Sequence, residues 1–210
     1  MQNRRDKGIL SIHSKTATAS IYALFPGRTG RVGLPQPFSN NITSTSGRFA
    51  RHVADNGNNF TVGDGGERGA FRHVFWQARI TQEFSGSFAN AVGKAHEGIG
   101  LREDASVDMS QKFEGELGLA DSTVDMLNNE LGRSIGENNP NLNQLDLART
   151  VLGEFRDNGL WTASEDKDGN VTITRQKISH AQYNRALDIL NSLNNDGFTE
   201  EEERQRTQRN

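Results

Sequence analysis

The sequence predicts a mainly α domain of about five helices with one small β-hairpin, preceded by an irregular basic arm. Three observations carry that reading. Apolar residues recur at helical spacing in five stretches after residue 66, a β-branched run follows one Asp-Gly turn, and residues 1–54 show neither period. The boundaries that follow are an arm over 1–54, a helical domain over 55–196 and a charged, flexible tail over 197–210.

The arm holds three of the four prolines (Pro26, Pro35, Pro37), and its eight Lys/Arg face one acid, Asp6. It reads as a solvated leader or as a segment recognised by an export carrier. Aromatic side chains are too sparse in it for a nucleic-acid stacking platform. Its apolar patch, Ile21 to Phe25, suits a strand or a docking segment. The formal net charge of −3 conceals this asymmetry: 16 basic against 26 acidic residues remain in 55–210, a balance of −10. Such a body disfavours a phosphate backbone as partner.

After the turn Gly63-Asp64-Gly65-Gly66, Ala70, Phe71, Val74, Phe75 and Ala78 form one face of a helix from Arg68 to about Phe84. A second helix runs from about Ser87 to Glu97 on Phe88, Ala91, Val92 and Ala95, with Gly98 and Gly100 as its stop. Residues 98–120 read as a loop or a poorly formed helix. A third helix is capped by Ser122, carries Val124, Leu127, Leu131 and Ile135, and ends at Gly136. A fourth spans Leu145 to Phe155. Lys167-Asp168-Gly169-Asn170 then turns a hairpin into Val171-Thr172-Ile173-Thr174. Ser179 caps the last helix, and the tail from Thr199 lacks an apolar face and is expected to fray.

Several chemistries are excluded by residue type. Without cysteine there is no disulfide, thiolate site or cysteine nucleophile. No run nears the ~18 apolar residues of a membrane span, and the opening MQNRRDKGILSIHSK shows no secretory signal. No Gly-x-Ser-x-Gly elbow is present, and the 63–66 glycine turn lacks the lysine of a phosphate loop. A ligand or nucleophile set must come from His, carboxylate, amide and hydroxyl groups.

Polar residues beside core-facing stripes are the candidates, because burying a polar group without a partner costs several kcal/mol. His73 and Arg72 lie at the edge of the first stripe; His96 follows Val92 by four, with Glu97 next. Asp125, Asn128, Asn129 and Arg133 run beside the leucine stripe of the third helix, and two adjacent asparagines there are poor helix formers. His73, His96, Glu97 and Asp125 are therefore candidates for catalysis, and Arg72, Asn128, Asn129 and Arg133 for substrate binding. His73, His96 and Asp125 could also hold a divalent metal such as zinc, although their spacing matches no short metal signature. Metal-free acid/base work by Glu97 and Asp125 is the alternative. The bland reading is a hydrogen-bond network tying three helices together. His13, His52 and His180 read as solvated, and Trp76 and Trp161 as core.

The blocks GERGAFRHVFWQARIT, FANAVGKAHEG and DSTVDMLNNELGRSIG, with the hairpin around DKDGNVTI, cover about residues 64–175. In them the chain resembles an uncharacterised helical domain of bacterial secreted proteins and toxin-type effectors. The resemblance implies that Arg72, His73, Trp76, His96, Glu97, Asp125, Asn128, Asn129, Gly132 and Arg133 are signature positions. Arg68-Gly69 departs from the family's usual Gly-Asp, so any role of that Asp falls to Asp64 or Glu67 or is absent. The expectation is a secreted effector or toxin with hydrolase activity, delivered without a signal peptide by a system such as type VI secretion. It would act in the periplasm or cytoplasm of a target cell, with peptidoglycan weakly favoured. A secretion carrier would engage the arm, and a cognate immunity protein would cover the site. A binding module and a metal-dependent nuclease are the alternatives, the acidic body weighing against the latter.

Overall fold

A computed structural model describes residues 26–55, 57–98 and 117–209. Within them, in chain order, are α1 (Pro26–Val32), α2 (Ile42–Ala54), α3 (Glu67–Glu83), α4 (Gly86–His96), α5 (Leu117–Asn138) and α6 (Gln144–Asp157). The antiparallel hairpin β1 (Leu160–Glu165) and β2 (Val171–Gln176) follows, then α7 (His180–Asn191) and α8 (Glu200–Arg209). The predicted mainly helical class with one hairpin is what forms. Caps set the boundaries: Ser85, Asn143 and Ser179 each accept a backbone N–H of the first turn of α4, α6 and α7.

Helix α3 is central, packed by α2, α4, α5, α6 and β1. Phe71, Val74, Phe75 and Ala78 enter the main core with Phe49, Val53, Val151, Leu152, Phe155 and Leu190. Trp76 and Ile80, on another side of α3, join a smaller cluster with Val32, Ile42, Phe88 and Val92. A helix apolar on two sides is enclosed, and its polar residues must find partners inside the fold.

Helix α5 starts five residues before the expected Ser122 cap and runs through Gly136, which is no stop. Gly132 and Gly136 instead form a seam. A Cβ at Gly132 would overlap the Val74 carbonyl oxygen, and one at Gly136 would stand 2.5 Å from that of Ala78. The bare seam lets the α3 and α5 backbones approach, which brings Asp125 and Asn129 beside His73. Residues 117–120 form the first turn of α5; 99–116 lie outside the described residues.

Helices α1, α2 and α8 fall in residues 26–54 and 200–209, where an irregular arm and a fraying tail were expected; residues 1–25 of the arm lie outside the described residues. Residues 42–54 are helix α2, capped by Asn41 (Oδ1 accepting from Ser44 N at 2.8 Å), with Ile42, Phe49 and Val53 in the cores. Its apolar stripe is masked by buried Thr45 and Ser46; the Ser46 hydroxyl donates to the Ile42 carbonyl at 2.6 Å. The Ile21–Phe25 patch lies outside the described residues. Helix α8 has no buried residue; Thr199 and Glu202 cap it reciprocally, and Arg204 pairs with Glu200 and Glu201 along its surface. Arg51 pairs with Glu202 at 2.6 Å, and the Arg48 guanidinium lies 3.7 Å from the centre of the buried Phe198 ring. Helix α2 thus packs on the helices that follow residue 55, and Phe198 packs on Arg48 of α2. Among the described residues, no helix is long and apolar enough to cross a membrane.

Candidate functional site

The site forms where α3, α4 and α5 meet. His73, on α3, is 2% exposed and both ring nitrogens are engaged. Nδ1–H donates to Asn129 Oδ1 at 3.1 Å, which leaves the lone pair on Nε2. Nε2 accepts from Arg72 Nη2 at 2.7 Å and lies 3.1 Å from Asp125 Oδ2. Burial, then the neighbouring Arg72 and His96, hold the His73 pKa well below its usual value, so the ring is neutral. Burial, then Asp121, push Asp125 up to about 7. With the ring neutral, this contact is not an ion pair.

Glu97 caps the C-terminus of α4, and its Oε1 is buried without a hydrogen-bond partner. Burial, then Asp125 and Asp121, raise its pKa to about 8. His96, the last residue of α4, is the exposed member; the protein packed around it, and then Arg72, still lower its pKa. Nitrogen and oxygen ligand atoms of His73, His96 and Glu97 all lie within 4.8 Å of one another. The Trp76 ring centre is 5.3 Å from that of His96, and its Nε1 donates to Thr43 Oγ1 on α2 at 3.1 Å.

Above this group is an open cleft of about 170 Å³. Val32 of α1 and the following Leu34 and Pro35 make one wall, α2 adds Thr43, and Arg72, His73, Trp76 and His96 lie opposite. Residues read from sequence as an irregular arm are a wall of the site. Trp76 is both core, as expected, and cleft wall.

Six of the eight predicted site residues converge: Arg72, His73, His96, Glu97, Asp125 and Asn129. The other two, Asn128 and Arg133, lie apart from this group. Asn128 faces the hairpin, donating to Trp161 O at 2.9 Å and accepting from Trp161 N at 3.1 Å, so it docks β1 on α5. Arg133 lies further along α5, where burial lowers its pKa against the opposing charges of Glu130 and Glu137. Asp121, one turn before Asp125, also belongs to the site; a cap at Ser122 would leave it outside the helix, which is why the sequence pattern does not single it out. Its carboxylate accepts from Gly65 N; burial first, with Asp64 adding, raises its pKa. Glu67 is committed elsewhere, accepting from Thr61 N at 2.9 Å and Gln176 Nε2 at 3.1 Å. His52 pairs with Glu202 at 3.0 Å, which corrects its reading as solvated, while His180 is exposed.

Two expected outcomes follow. Asn128→Ala strands two backbone groups of β1 and lowers stability by about 2 kcal/mol, roughly 4–8 °C in a thermal melt. An activity loss with unchanged melting temperature would mean that Asn128 binds substrate instead. In chelator, the chain loses stability as pH rises from about 4.5 to 8, because folded Glu97 holds a proton that the unfolded chain releases. Glu97→Gln flattens that decline in melts across the range; an unchanged decline would contradict the proton's placement.

Residues 31–158 match the family model described as a domain of unknown function, DUF6973. No curated protein and no solved structure matches the chain. The match begins inside α1 and ends just after α6, and so contains the cleft wall and every residue of the cluster.

Proposed function

Since the chain belongs to the DUF6973 family, whose function is unknown, the site's chemistry must supply the reading: we propose a bacterial secreted effector that hydrolyses a target-cell envelope component. The observation that carries it is that the His73–His96–Glu97–Asp125 cluster opens into a cleft through His73 and His96. A purely structural network would be sealed, with every member paired; here His96 is exposed and Glu97 Oε1 has no partner.

Water entering the cleft meets the neutral imidazoles of His73 and His96, and beside these stand carboxyls that carry protons near neutral pH. The cluster accepts a proton from that water as it attacks the scissile bond, and a carboxyl returns one to the leaving group. Arg72, at the cleft edge, stabilises the negative charge that develops. Asn129 positions His73 through Nδ1.

Peptidoglycan remains a candidate, but the Val32, Leu34, Pro35, Trp76 and Val92 walls suit an apolar side chain or acyl group. A sugar there would leave hydroxyls unpartnered. Purified protein incubated with isolated sacculi, and separately with envelope lipids, is expected to release soluble fragments or fatty acid from one of them. Release from neither, or release by His96→Ala equal to wild type, would overturn the reading. Delivery by a specialised secretion system and capping of the cleft by an immunity protein belong to the same proposal.

A further inference from the structure

We infer that His73, His96 and Glu97 form a binding site for one divalent transition cation, with Asn129 positioning the first ligand. The three side chains offer two imidazole nitrogens and a carboxylate oxygen, all within 4.8 Å of one another. This mixed nitrogen and oxygen set suits zinc and neighbouring first-row ions better than magnesium or calcium, which prefer oxygen alone.

Further features single out this trio. The Asn129 bond to Nδ1 fixes the His73 tautomer and aims the Nε2 lone pair at the cluster, the usual arrangement around a metal-bound histidine. Glu97 Oε1 is buried and unpartnered, a cost that coordination would remove. The Arg72 guanidinium, 2.7 Å from Nε2, already brings a positive charge to that lone pair, and its exposed side chain can swing into the cleft when an ion takes its place. A tetrahedral ion needs ligand atoms ~3.4 Å apart, so the trio draws in by side-chain rotation. The cleft, lined by His73 and His96, gives water access to the trio. Asp125, 3.1 Å from His73 Nε2, stands beside the trio without being one of its ligands.

The assignment differs from the sequence expectation of His73, His96 and Asp125: Glu97 takes the place of Asp125 as carboxylate ligand. It deepens the hydrolytic reading of the same site, yet binding alone tests it. The full chain, stripped with chelator, is titrated with Zn²⁺ by calorimetry and with Co²⁺ by visible absorption. One equivalent is expected to bind, Co²⁺ to show a four-coordinate spectrum, and Zn²⁺ at roughly a hundredfold its Kd to raise the melting temperature by about 5–10 °C. His96→Ala and Glu97→Gln, folded by circular dichroism, are expected to lose at least tenfold in affinity. Asn129→Ala loses about 10–100-fold, and Asn128→Ala binds as wild type. Absence of stoichiometric binding, or unchanged affinity in His96→Ala and Glu97→Gln, overturns the site. Hydrolysis without stoichiometric metal binding removes the site and leaves the hydrolase; metal binding without hydrolysis leaves the site and removes the hydrolase.

Discussion

His96→Ala is expected to abolish at least about a hundredfold of hydrolysis while leaving the melting temperature of the metal-free protein within about 2 °C of wild type. The separation follows from position. His96 ends α4 and faces the cleft, so truncating its exposed ring opens no internal cavity. It is nonetheless in the tight group with His73 and Glu97, the only such group of possible ligands among the described residues. His73, 2% exposed and bonded through both nitrogens, offers no such separation, because its removal damages packing together with chemistry. Residual activity per folded molecule, measured on the responsive envelope substrate, checks the expectation; a fall that tracked lost folding would contradict it.

Gly132→Val is expected to cost about 3 kcal/mol or more and to lower the melting temperature by roughly 10 °C. Its first side-chain carbon would overlap the Val74 carbonyl oxygen and press on Gln77, and backbone cannot step aside as a flexible side chain can. Prying α5 from α3 would also draw Asp125 and Asn129 away from His73, so folded molecules are expected to lose activity too. Gly153, on α6, is the control: a Cβ there meets nothing within 4 Å. Gly153→Ala should therefore stabilise by about 0.5–1 kcal/mol, through helix propensity and a less free unfolded chain. Equal effects of the two substitutions in thermal melts would remove the seam argument.

The central helices were legible because their apolar residues keep a clean period: Ala70, Phe71, Val74, Phe75 and Ala78 predict α3 almost to the residue. Polar groups beside those stripes then pointed to His73, His96, Glu97, Asp125 and Asn129. Helix α2 was hidden because Thr45 and Ser46 occupy its inward face, where pattern reading expects apolar residues. Without α2 and α1, the cleft had only one wall. Helix α8 escaped notice because surface charge pairs and the anchoring of Phe198 under Arg48 hold it, rather than a stripe of its own. Asn128 and Asn129 look alike in sequence. Adjacent helical positions point about 100° apart, so one docks a strand and the other orients a histidine.

Expression of wild type and His96→Ala in a bacterium, each directed to cytoplasm and periplasm, tests the hydrolytic effector most directly. The expected result is growth arrest or lysis by wild type in the periplasm and none by His96→Ala at equal folded level. Harmlessness of wild type in both compartments, or equal toxicity of the variant, would contradict the account.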